Sequence, residues 1–227
     1  MRIEYEPSSP LGREFIQLGP DITAAILVTL LAGWDSASAR PDVNADAGEV
    51  AITERLRDGM RAALKTRRYP WSRNMVVLPG TESRSNPSIL LPDGRTDIPI
   101  FLIEIFFGSQ DHDPHAVVEC KRIAAGDRHL CREYVVEGVD RFCLGKYGEN
   151  HAIGFMVGYL LSGSASGAVS DVNAYLTSKA RYAEHIHTTA DPAPGWSSQH
   201  ARTSSAIPIT LYHSFFSLPS RAEICRG

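Results

Sequence analysis

The sequence predicts an α/β fold, a mixed central sheet flanked by helices, from three observations. The first is an amphipathic helical pattern ending in a basic stretch. The second is a pair of apolar runs, rich in Ile, Val and Phe, on either side of a polar Gly/Asp/Pro patch in GRTDIPIFLIEIFFGSQDHDPHAVVECKRI, which reads as a hairpin with a long loop. The third is the continuous apolar run AIGFMVGYLL, bounded by turn residues, which suits a buried strand. The chain has 227 residues, 43% hydrophobic and 22% charged, so it reads as one globular domain, 1–227, with a sizeable core.

Residues 1–19 read as irregular, and Pro20-Asp21 starts a helix to about Gly33, apolar on all sides and therefore buried. Its apolar run, Ile22 to Trp34, is too short to span a bilayer and has no basic leader before it. A second helix begins near Ala47, with Asn44 or Asp46 as its cap, and carries its apolar stripe at Ile52, Leu56, Met60 and Ala63 or Leu64. On a helical wheel Glu49 lies about 60° and 20° from Ile52 and Leu56, on the core-facing stripe, whereas Glu54 lies about 200° away and faces water. The same helix exposes Arg55, Arg57, Arg61, Lys65, Arg67 and Arg68, followed by Arg73 with Tyr69 and Trp71 among the last of these. Such a face suits either a phosphate backbone with stacked bases or plain solvation.

A first strand falls in WSRNMVVLPG, a long loop in 80–92, and then the hairpin. Residues equidistant from a hairpin's tip lie opposite each other, and Gly108 is midway between Asp97 and Glu119. The start of one strand therefore meets the end of the next, with Glu119 and Lys121 on one face and Cys120 on the other. Two carboxylates and an amine at an otherwise apolar sheet end suit Mg²⁺, which binds one or two carboxylates and leaves other positions to water and phosphate. A metal there activates water for in-line displacement at phosphorus, and Lys121, held protonated by the carboxylates, adds a fixed positive charge. The bland alternative is a solvated Glu119–Lys121 pair beside a strand-starting Asp97.

Beyond the hairpin come a helix over 127–146, the apolar strand, a helix over 170–185, a loop over 188–205 and a last strand, IPITLYHSFF. Other groupings carry less. GSASG has Ala165 where a nucleophile elbow needs serine. Asp111, His112, Asp113 and His115 sit at the hairpin tip and read as a polar loop; His185, His187 and His213 have no assigned role. No phosphate-binding glycine motif is present. The cysteines at 120, 131, 143 and 225 form no CxxC pair, which argues against zinc and disulfides and for a reducing cytoplasm. A net charge of −3 excludes binding of nucleic acid by overall charge.

Helix with Glu49, strand, strand starting at Asp97, strand with Glu119-Cys120-Lys121, helix, strand: this order resembles the αβββαβ core of the PD-(D/E)xK, or restriction-endonuclease-like, nucleases. The resemblance covers about 46–162, with an extra N-terminal helix and a C-terminal helix and strand. It implies that Asp97, Glu119, Glu49 and the carbonyl of Cys120 bind Mg²⁺, with Mn²⁺ as a substitute, and that Lys121 assists the attacking water. The residue before Asp97 is Thr96 where the family pattern has Pro; a literal Pro92-Asp93 occurs nearby, but pairing Asp93 with Glu119 would put the hairpin tip at Phe106, inside the apolar run. The implied function is a cytoplasmic, metal-dependent endonuclease acting on DNA in prokaryotic restriction or antiphage defence, as a homodimer or within a larger complex, away from membranes. The alternatives are an inactive nuclease fold kept for nucleic-acid binding or assembly, and an RNA-directed nuclease of the same fold.

Overall fold

The structure, a computed structural model, describes residues 5–6, 15–80, 82–83, 94–109, 113–203 and 207–219. In chain order the elements are β1 (Tyr5–Glu6), β2 (Phe15–Ile16), α1 (Pro20–Ser38), α2 (Glu49–Thr66), β3 (Met75–Val77), β4 (Glu82–Ser83) and β5 (Gly94–Arg95). They continue with β6 (Ile98–Leu102), α3 (Ile103–Ser109), β7 (Ala116–Ala124), α4 (Arg128–Tyr134), a π-helical turn (Val135–Val139), α5 (Asp140–Cys143) and β8 (Ile153–Ser162). Last come α6 (Ala165–Ser178), a 3₁₀ turn (Tyr182–Glu184), β9 (His187–Thr189), β10 (Gly195–His200) and β11 (Ile209–Ser217). Seven strands form one open mixed sheet in the order β3-β6-β7-β8-β11-β10-β9, so the α/β class and its flanking helices hold. The central pairs β7–β8 and β8–β11 are parallel, and the pairs outside them antiparallel.

Each sheet face carries its own core. On one side α1 and α2 bury Ile22, Ile26, Leu30, Ile52, Leu56 and Met60 against Val118, Cys120, Val157 and Tyr159. On the other, α4, the π turn, α5 and α6 bury Tyr134, Val135, Phe142, Val172 and Leu176 against Val117, Ile123, Met156 and Leu211. Each fully buried aliphatic side chain contributes about 1.5–3 kcal/mol. The two N-terminal helices meet at a pair of glycines: a Cβ at Gly59 would stand 2.2 Å from the carbonyl oxygen of Gly33, so only Gly permits the approach. Among the described residues no helix is long and apolar enough to cross a membrane.

The hairpin register is the expected one, with Ile98 opposite Val118, but its arm is shorter. The strand ends at Leu102 and residues 103–109 turn into α3, whose first turn holds Ile105 in the core while Phe107 is exposed. An unbroken apolar run cannot by itself distinguish strand from buried helix, and here it is both. The loop expected over 188–205 contains β9 and β10, whose Thr, Ser and His positions alternate too weakly in hydrophobicity to announce a strand. The sixth helix covers 165–178 rather than 170–185, capped by Ser164, whose hydroxyl accepts from the Gly167 amide. Helix α1 runs to Ser38 and leaves Leu31 exposed, so its burial is one-sided. Gly48 is the N-cap of α2; Asn44 instead accepts from the Asp46 amide, closing a turn. The readings placed on Asp93, Asp111, His112 and Cys225 lie outside the described residues.

Candidate active site

Strand β7 outruns its antiparallel neighbour. Pairing with β6 stops at Val118, so the later backbone amides on that edge need other acceptors. Two carboxylates supply them: Asp97 Oδ2 accepts from the Cys120 amide at 2.8 Å, and Glu49 Oε2 from the Arg122 amide at 2.9 Å. Asp97 does so from the bend just before β6, and Glu49 from the first residue of α2. The divergence of β6 from β7 thus draws both acids to the same strand end.

Glu119 and Lys121 share the face towards the π turn. Lys121 Nζ lies 2.8 Å from Glu119 Oε1, 3.2 Å from Glu49 Oε1 and 3.0 Å from the carbonyl oxygen of Cys120. The ammonium therefore sits among the carboxylates of Glu119 and Glu49 and the carbonyl of Cys120. The Cys120 thiol points to the opposite face, into the α2 core, near the Thr53–Tyr159 hydroxyl pair. All four side chains singled out in the sequence, Glu49, Asp97, Glu119 and Lys121, are brought together, and Cys120 joins them through its backbone.

Electrostatically the cluster is tense. Glu119 is fully buried, and burial followed by the charge of Asp97 pushes its carboxyl up to about 8, against the pull of Lys121. Burial also raises Asp97, more than Lys121 and the Cys120 amide lower it. Burial alone would lower Lys121, but Glu119, Glu49 and Asp97 outweigh it and hold the ammonium charged. Glu119 Oε2 is buried without a hydrogen-bond partner, which is costly for a carboxylate oxygen. An orphaned acidic oxygen beside two further carboxylates, with an ammonium against two carboxylate oxygens and a carbonyl, is a donor set that fits a hard divalent cation. The fit asks for rearrangement: the acids of Glu49, Asp97 and Glu119 are not drawn within 4.8 Å of one another, a spacing met among the described residues by Cys143, Glu184 and His200.

Sequence reasoning missed the wall behind this cluster. Arg141 Nη1 lies 3.8 Å from Glu119 Oε1 and donates at 2.6 Å to the Tyr147 hydroxyl, which in turn donates to the carbonyl of Arg95. Gly138, inside the π turn, leaves room for Met156, whose Cε would lie 2.6 Å from a Cβ there, and the stem of Lys121 passes at ordinary contact distance, 3.5 Å from the same point. A π turn inside a helix has no sequence pattern of its own, though it is frequent at functional sites.

The basic face of α2 is largely occupied. Arg57 is buried against Glu54, correcting its expected exposure; Arg55 pairs with Asp42 at 2.5 Å, Arg67 with Asp35 at 3.3 Å, and Arg61 donates to the carbonyl of Val77. Tyr69 and Trp71 stack on each other at 4.7 Å, and the Trp71 indole donates to Thr29. Lys65, Arg68 and Arg73 remain exposed. His115 is a buried structural residue whose Nδ1 accepts from the Leu102 amide, fixing the end of β6. Comparison of the chain with protein-family models, with curated proteins and with solved structures finds no match.

Proposed function

We propose that this chain is a Mg²⁺-dependent endonuclease that hydrolyses DNA phosphodiester bonds, with prokaryotic restriction or antiphage defence as its setting. The observation that carries the reading is the position of Lys121 Nζ, within 3.2 Å of Glu119, Glu49 and the Cys120 carbonyl and next to Asp97. Glu49, Asp97, Glu119 and the Cys120 carbonyl are the groups that would hold the metal. When bound, Mg²⁺ supplies a more acidic water and neutralises charge on the phosphoryl oxygens.

The chain's own residues do the rest. Asp97 and Glu49 each spend one oxygen on a backbone amide of β7, and Glu49 turns its other oxygen to Lys121, so their orientation is set by the strand itself. Lys121, held charged, cannot accept a proton; it orients the attacking water and stabilises developing charge on the phosphate, while Glu119 and Glu49 keep its stem in place. The Lys121 stem passes Gly138 of the π turn.

A second reading, a nuclease fold retained for binding or assembly, is favoured by the acid pairing of Arg55, Arg57 and Arg67 and by the net charge of −3. Incubating plasmid DNA with the protein and Mg²⁺ or Mn²⁺ separates the two. Nicking or linearisation that falls about 100-fold or more in Lys121→Ala is expected for the enzyme. Equal cleavage by both proteins, or none by either, would sink the catalytic assignment. A labelled RNA competitor reports whether RNA is the preferred substrate.

A further inference from the structure

A second polar cluster lies on the far half of the sheet, where α5 ends, the 3₁₀ turn passes and β10 closes against β11. Cys143, Glu184 and His200 each present one ligand atom, and these atoms lie within 4.8 Å of one another. We propose that they form a separate metal centre for Zn²⁺ or a similarly borderline-soft divalent cation. Thiolate, imidazole and carboxylate together are a zinc donor set, and they are unlike the all-oxygen set that suits Mg²⁺.

The surroundings are those of a supported site. Zinc-binding imidazoles donate their second ring N–H to a fixed partner, which sets tautomer and ring orientation. His200 Nε2 lies 2.6 Å from Ser198 Oγ; Ser198 Oγ lies 2.7 Å from His213 Nε2; His213 Nδ1 lies 2.8 Å from the Tyr134 hydroxyl. His200, Ser198, His213 and Tyr134 are all buried. Glu184 is braced by both its oxygens on Arg181, at 2.9 and 2.6 Å, and Arg181 is held in turn by Asp140 at 2.7 Å. The ligands are thus oriented from behind, while the Glu184 side chain, 22% exposed, opens towards solvent and leaves access for a water as fourth ligand.

Without metal, His200 Nδ1 and Glu184 Oε2 are hydrogen-bonded to each other. Ligands about 2.0–2.3 Å from a tetrahedral zinc lie about 3.3–3.8 Å apart, so the two separate by about 1 Å when the cation enters between them. Binding also takes the thiol proton of Cys143, and the imidazole proton moves to Nε2. Ser198 Oγ then accepts from His200 Nε2 across the contact it already makes at 2.6 Å.

The test uses the full-length protein carrying Asp97→Asn and Cys225→Ser, so that neither the carboxylate cluster nor the terminal thiol contributes, and it is therefore independent of the nuclease reading. After chelator treatment, Zn²⁺ is titrated against a chromophoric chelator and Co²⁺ binding is followed by absorption. One equivalent bound and a thiolate-to-cobalt charge-transfer band are expected. Cys143→Ser should remove the band, and Cys143→Ser and His200→Gln should each weaken Zn²⁺ by more than about tenfold, with Ser198→Ala weakening it about tenfold through the second contact of the imidazole. Circular dichroism checks that each variant is folded. A folded parent protein that binds no zinc, a cobalt complex without a thiolate band, or undiminished affinity in the folded Cys143→Ser protein overturns the proposal; the first two outcomes need no ligand variant to fold.

Discussion

The carboxylate–lysine cluster around Glu119 and the Glu184–His200–Ser198–His213–Tyr134 chain are both largely buried and both polar, yet they are held on opposite terms. In the first, two acids crowd each other, an oxygen of Glu119 lacks a partner, and burial raises both carboxyls. In the second, each side-chain donor meets an acceptor, and burial keeps His213 neutral, its pKa lowered to about 3. Fully satisfied polar networks add rigidity, whereas unsatisfied ones store destabilisation that a ligand can relieve. A ligand at the first cluster would relieve a polar atom left without a partner, whereas a cation at the second would have to displace a hydrogen bond already made.

Acid and base should pull the two apart, and this is the largest effect expected. Glu119 keeps its proton up to about 8 in the folded chain and loses it near 4.5 in the unfolded one, so its contribution to stability is full below 4.5 and is lost as pH rises to 8. His213 and His151, both pushed down to about 3 by burial, act in the opposite sense: their contribution is full above 6.5 and is lost as pH falls towards 3. Thermal unfolding of metal-free protein across pH should show declines on both sides, each exceeding about 1 kcal/mol. Glu119→Gln should flatten the alkaline decline and His213→Asn should make the acid one shallower; an alkaline slope unchanged by Glu119→Gln would refute the account of its burial.

A smaller contrast comes from cutting the relay itself. Ser198→Ala leaves ring nitrogens of His200 and His213 buried without their partner and should cost about 1–3 kcal/mol of stability in the absence of metal, measured by denaturant unfolding. Smaller again is Glu49→Gln, which keeps an acceptor for the Arg122 amide but removes a partly exposed charge from Lys121. Discounted for exposure, about 1.4 kcal/mol of transition-state stabilisation is at stake, or about a tenfold fall in DNA cleavage with little change in unfolding. A fall equal to that of Lys121→Ala would instead make Glu49 as central as the lysine.

The two clusters also differ in how far the sequence discloses them. Glu119, Cys120 and Lys121 are consecutive on one strand, and the alternation of faces with hairpin register suffices to place Asp97 beside them; the wheel of α2 adds Glu49. Periodicity likewise announces α2, and apolar runs bounded by turn residues announce β7 and β8. The second cluster comes from Tyr134, Cys143, Glu184, Ser198, His200 and His213, residues without a shared spacing, and two of them lie in β10, which reads as loop because GWSSQH lacks apolar alternation. Only the pairing of Ser198 opposite Leu211 and Trp196 opposite His213 brings them together. Local pattern reveals sites built along one element; sites built across elements wait for the tertiary fold. The same limit hid α3, the π turn, and the burial of Arg57.

The glycine pair between α1 and α2 has a mechanical consequence. Gly59 is ten residues along α2 from Glu49, about 15 Å of helix, so the contact with Gly33 acts as a fulcrum and Glu49 as the end of a lever. A tilt of about 4° at the fulcrum displaces the carboxylate by about 1 Å, enough to pull Glu49 Oε1 away from the 3.2 Å contact with Lys121. The aim of an acidic side chain at the end of an inner strand is thereby set by the closeness of two backbones in the helical layer, where neither residue has a side chain at all.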